Sequence, residues 1–103
     1  MGDLEVARFT ATKQYDKAFA KLSPKAQARV RQALEDALAD IDAPRLHLHS
    51  LAGQWLGVFS INAGGDLRVL FEAVDEDGRP ADAGSQSTTG LLITVGTHAQ
   101  LYG

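Results

Sequence analysis

Apolar and polar positions alternate most regularly between Leu56 and Val74, in the run LGVFSINAGGDLRVLFEAV. Alternation with a period of two is the pattern of a half-buried strand, and its interruption by Ala63-Gly64-Gly65 predicts a hairpin. Glycines tolerate the positive φ that short hairpin loops require. With those three residues as the loop, Asn62 faces Asp66, Ile61 pairs with Leu67, Ser60 with Arg68 and Phe59 with Val69. Directly opposed residues share a face. Ser60, Asn62, Asp66 and Arg68 therefore fall on one side, and Phe59, Ile61, Leu67, Val69 and Phe71 on the other. One face suits a core. The other carries a carboxylate and a guanidinium two residues apart.

The flanking segments change period. Leu4–Ala11 alternates loosely and is predicted as a strand. Thr12 is placed to cap a short helix in which Tyr15, Phe19 and Leu22 recur at helical spacing. Ser23-Pro24 is a stronger start signal, a capping side chain followed by proline in the first turn. Beyond it Ala26, Val30, Ala33, Leu34, Ala37, Leu38 and Ile41 form one stripe of an amphipathic helix suited to packing on a sheet. Asp42-Ala43-Pro44 is expected to end that helix. Arg45–Trp55 reads as an irregular or extended connector, and Asp75–Gly90 as a polar loop rich in glycine, aspartate and serine. The nearly unbroken apolar run LLITVG is expected to be a strand central in the sheet or covered on both faces. The order is β-α-α-β-β-β. It predicts an α+β fold, a mostly antiparallel sheet with the two N-terminal helices on one face.

A chain of 103 residues suits a single domain spanning 1–103, with one modest core. Without cysteine it has no disulfides and no thiolate metal site. No signal-peptide pattern or membrane-length apolar run is present, and Val6 breaks the myristoylation pattern begun by Met1-Gly2. A soluble cytoplasmic protein without membrane contact is expected. The net charge of −3 runs against a general affinity for nucleic acid, though a local basic patch on an acidic protein can still bind phosphate. Lys25, Arg29 and Arg31, early on the second helix, have two readings: a solvated face or a phosphate-contacting patch.

Histidine brings candidate chemistry to both sides of the hairpin. His47 and His49 precede it and His98 follows the last strand. His47 and His49 have the spacing of a two-tooth metal clamp, which His98 and Asp66 could complete. Such pairs often arise by chance and cysteine is absent, so no metal is expected. His47 reads as a surface or hydrogen-bonding residue, Trp55 as a core or rim aromatic, and Gly53 and Gly57 as backbone necessities at a turn.

His49-Ser-Leu51-Ala-Gly53, Trp55-Leu-Gly57, Asp66-Leu-Arg68-Val and the ending from Gly96-Thr-His98 to Tyr102, taken in order, resemble the RelE/ParE superfamily of toxins from bacterial type II toxin–antitoxin pairs. The likeness is greatest to the YafQ-type branch of mRNA interferases. It implies a toxin that cleaves mRNA on the ribosome and inhibits translation, held by a cognate antitoxin in a hetero-oligomer. It also implies catalytic roles for His49, Asp66 and His98 and a phosphate contact for Arg68. Asn62 stands where those enzymes commonly carry another histidine, and is an accessory candidate.

Such cleavage needs a base for the 2′-hydroxyl proton, an acid for the leaving 5′ oxygen and positive charge on the phosphate. Histidine suits either proton role and arginine's planar fork can hold two phosphate oxygens. His98 is read as the acid, His49 or Asp66 as the base, and Arg68 as the clamp. Exchanging the two histidine roles would leave no trace in the sequence. Tyr102 has two readings, stacking on a base or anchoring the C-terminus. No cofactor is implied, because the RNA supplies its own nucleophile. Two other classes stand beside the nuclease. A ParE-like DNA gyrase inhibitor needs no acid–base pair, which His49, Asp66 and His98 argue against. A weakened homologue that only binds its antitoxin would accommodate Asn62 and the acidic balance.

Overall fold

The protein is described by a computed structural model over residues 5–51, 57–75, 77–80 and 88–102. Two hydroxyl caps set its helices. After strand β1 (Arg8–Ala11), Thr12 Oγ1 accepts the Tyr15 N–H at 3.1 Å and starts α1 (Lys13–Ala20). Ser23 Oγ accepts the Ala26 N–H at 3.1 Å, with Pro24 in the first turn of α2 (Pro24–Ala39). Both starts are those the sequence predicts.

Most of the predicted α2 stripe meets the sheet. Val30, Ala33, Ala37 and Ile41 are buried and Ala26 and Leu34 pack against them. Leu38 is the exception at 46% exposed. It stands about 80° around the helix from Val30, at the edge of the buried arc. The helix also ends earlier than Asp42-Ala43-Pro44 suggests, because Asp40 is already extended. Pro44 instead opens a single 3₁₀ turn, Pro44–Leu46, which drives Leu46 into the core. The expected connector is therefore partly ordered, and Trp55 and Gly53 within it lie outside the described residues.

Four further strands follow: β2 (His49–Ser50), β3 (Val58–Asn62), β4 (Leu67–Val74) and β5 (Thr89–Thr97), with a closing helix α3 (His98–Tyr102). Their order in the sheet is β1-β5-β4-β3-β2, with β1 parallel to β5 and the other pairs antiparallel. The fold is α+β with α1 and α2 on one face, as expected, plus a two-residue edge strand and a C-terminal helix. Among the described residues no helix is long and apolar enough to cross a membrane.

The hairpin register differs from the prediction. Asn62 pairs with Arg68, Ile61 with Val69, Ser60 with Leu70 and Phe59 with Phe71. Ala63 is buried, and its N–H donates to the Leu67 carbonyl at 2.9 Å, so the hairpin closes one pair later. Asp66 is consequently in the turn, not opposite Asn62. Gly64 and Gly65, at φ 101° and 54°, let the Leu67 N–H reach the Gly64 carbonyl at 3.0 Å. Each predicted partner moves by two residues, an even shift that leaves the side chains of the paired strand residues on their expected faces. Ile61, Leu67, Val69 and Phe71 are buried, with Phe59 packed against them.

Phe71 lies at the centre of this core. Its ring stacks on Phe59 at 5.7 Å and meets Phe9 edge-on at 5.5 Å. Phe9 lies over its strand partner Gly90, where an added Cβ would come within 2.5 Å of the ring. The β4–β5 register slips after Leu70, so Thr94 pairs with Leu70 but Leu92 with Phe71. The predicted loop is shorter than Asp75–Gly90. It begins in a tight turn, with Asp75 Oδ1 accepting the Asp77 and Arg79 N–H groups at 2.9 Å, and β5 already starts at Thr89.

Candidate functional site

The sheet face away from α1 and α2 carries the polar half of the hairpin pattern. His49 pairs with Ser60, and Asn62 with Arg68. These four, with His47, Leu51 and His98, line an open cleft of about 620 Å³. All three histidines of the chain are thus in one place.

Each group reaches the cleft by a local device. Arg68 is half-buried, and its Nη1 donates to the Gly65 and Leu67 carbonyls, both at 3.1 Å. Two of its five N–H donors are committed this way, which fixes the plane of the fork. Among the described residues the side-chain ion pair is Arg45 with Asp36, so Asp66 does not neutralise Arg68. Asp66 is exposed in the turn and is not among the residues lining the cleft.

His98 opens α3 through a reciprocal cap. Thr97 Oγ1 accepts the Gln100 N–H at 3.2 Å and Gln100 Oε1 accepts the Thr97 N–H at 2.8 Å. The His98 N–H donates to the Asp66 carbonyl at 3.0 Å, so the main chain of Asp66 helps to seat His98. The sequence does hold a signal for this unpredicted helix, the T-x-x-Q spacing of a capping box.

On the opposite wall, His49 Nδ1 lies 2.9 Å from the His47 carbonyl oxygen. His47 and Ser60 were not singled out as site residues by the sequence, yet both line the cleft. Ser60 is fully buried and its Oγ has no hydrogen-bond partner. A hydroxyl facing histidine across an antiparallel pair is the kind of position that register alone reveals. Tyr102 ends α3, and its side chain lies outside the described residues. Lys25, Arg29 and Arg31 are exposed on α2, the helical side of the sheet, and the Arg31 guanidinium sits 5.1 Å from the Phe19 ring centroid. Among the described residues no three His, Asp or Glu side chains are grouped to hold a metal.

The 3₁₀ turn beneath His47 is tied to α2. Asp36 accepts from Arg45 Nε at 3.0 Å and from Gln32 Nε2 at 3.1 Å. The hydrogen bond from Arg45, then that from Gln32, holds the Asp36 carboxyl below its ordinary 3.8. A carboxyl depressed in the folded state stabilises the fold above its unfolded pKa and loses that contribution as the pH falls through the folded one. Asp36→Asn is therefore expected to lower the melting temperature slightly at neutral pH, since the Arg45 partner is largely open to solvent, and to match the parent in strong acid. Thermal melts of both chains across the acid range measure it.

No family model and no curated protein matches the chain. Solved structures do. The RelBE2 toxin–antitoxin complex from Mycobacterium tuberculosis aligns with TM-score 0.65 and 20% identity over 90% of this chain and 99% of that one. A YafQ mutant from E. coli aligns at 0.64 and 21% over 92% and 97%, and a YoeB/ParE toxin from Agrobacterium tumefaciens at 0.64 and 12% over 88% and 98%. At such identities the likeness is one of fold. This chain has the RelE/ParE-like toxin fold. YafQ is among the proteins that share it.

Proposed function

We propose that the chain is the toxin of a type II toxin–antitoxin pair, acting in the cytoplasm as an endoribonuclease on mRNA at the ribosome. The observation that carries this reading is the convergence of His49 and His98 with Arg68 in one open cleft. Neutral and protonated imidazoles exchange protons near neutral pH, and a guanidinium fixed by two carbonyls presents its remaining donors to a phosphate. The 2′-oxygen attacks phosphorus, its proton passes to a base, the bond to the 5′ oxygen breaks, and that oxygen takes a proton from an acid. His98 serves as the acid and Arg68 as the clamp. The base is His49 or Asp66, of which His49 lies in the cleft. Asn62 and Tyr102 are accessory contacts.

The antitoxin partner is supported by the RelBE2 neighbour, which is a toxin–antitoxin complex. Induced expression in bacteria tests the reading. Growth should stop, mRNA should be cut, and co-expression of the adjacent small open reading frame should restore growth. Arrest with a DNA-damage response and intact mRNA would instead favour the gyrase-inhibitor reading.

A further inference from the structure

We infer that His47 is a positioning residue whose main-chain carbonyl locks the His49 ring in its Nδ1–H tautomer and so makes Nε2 the proton acceptor of the cleft. The inference rests on the RNA-cleavage reading for its consequence, though not for its geometry.

A carbonyl oxygen can only accept. His49 Nδ1, 2.9 Å from the His47 oxygen, must therefore be the protonated nitrogen. A neutral imidazole carries one N–H, so the lone pair falls on Nε2. This is the minor tautomer of imidazoles free in water. It separates two roles that the sequence leaves interchangeable: the ring whose Nε2 is held bare takes the 2′-hydroxyl proton, and His98 delivers the other. Once His49 is protonated, its Nδ1–H bond to the carbonyl becomes charge-assisted and stronger, which favours the transfer.

The carbonyl is aimed by an unusual backbone. Among the described residues His47 is the one non-glycine with positive φ, at φ 46° and ψ 50°. Few residues with a Cβ adopt that region, though asparagine, aspartate and histidine enter it more readily than the rest. The conformation is held from below. The His47 N–H donates to the Pro44 carbonyl at 3.2 Å, Leu46 is buried, and Arg45 is paired with Asp36. A strained residue kept in place by its surroundings, with its carbonyl on a cleft imidazole, directs that ring.

Nitrogen-15 NMR of the imidazoles tests this without any RNA, with signals assigned from His47→Asn and His98→Asn chains. The wild-type protein, with His49 neutral, should show its Nδ1 protonated and its Nε2 bare. His47→Gly and His47→Asn, which tolerate the left-handed backbone, should keep both that signature and cleavage. His47→Val should move His49 towards the Nε2–H form and lower kcat by about ten- to a hundredfold at similar KM. An Nε2–H tautomer in the wild type overturns the inference, whatever happens to His47→Val. So does a loss of cleavage in His47→Gly with the tautomer unchanged, because the His47 imidazole would then act itself. If no chain cleaves RNA yet the tautomers follow this pattern, the positioning holds and the nuclease reading fails.

Discussion

Replacing His98 with alanine is expected to slow RNA cleavage by about 10²–10⁴-fold while leaving KM near that of the wild-type chain. The reason is where the proton goes. A general acid acts on the leaving 5′ oxygen only as its bond to phosphorus breaks, so its removal raises the barrier by about 3–5 kcal/mol without weakening substrate binding. The fold should survive, because the His98 side chain is exposed and α3 is capped by Thr97 and Gln100 rather than by the imidazole. Single-turnover cleavage of mRNA on stalled ribosomes measures the rate, and growth of the expressing cells reports it in vivo. A His98→Ala chain that cleaves at the wild-type rate would remove the acid from the proposal, and with it the role of the cleft.

Phe71→Ala should cost about 3–5 kcal/mol of stability, the range for a buried aromatic truncated to alanine. Phe71 is fully buried on β4, in contact with Phe59 on the next strand and Phe9 on β1. Truncation opens a cavity that none of the strands can close without breaking its ladder. A domain of this size has about 5–15 kcal/mol in total, so the variant should lie near the edge of folding. Urea titration followed by circular dichroism gives the difference directly. A loss below about 1 kcal/mol would mean that the aromatic group does not anchor the sheet.

These two variants separate the chain's two faces, and the faces were legible from the start. Period-two alternation from Leu56 to Val74 assigned Phe59, Ile61, Leu67, Val69 and Phe71 to the core side and Ser60, Asn62, Asp66 and Arg68 to the other, and all but Asp66 lie as assigned. The hydroxyl caps at Thr12 and Ser23 and the stripe through Val30, Ala33 and Ala37 gave the helices. Such signals are written within one or two turns of chain, since a cap needs a donor three residues on and a face needs only the local period. The T-x-x-Q signal at Thr97 was equally local, and could have placed α3.

Register and convergence are of another kind. That the hairpin closes at Ala63 and Leu67 depends on Ala63 finding a buried site, and this displaced Asp66 into the turn. The left-handed backbone at His47 depends on Leu46 being drawn into the core and on Arg45 meeting Asp36 nine residues earlier. His47, His49, Ser60, Asn62, Arg68 and His98 are neighbours only because β3, β4 and β5 pair and the edge strand β2 adds to them. The amino-acid order alone determined which side of each element is apolar and where the helices begin. Which polar groups meet was decided by tertiary structure, because that outcome balances burial and hydrogen bonding among segments that a local pattern cannot relate.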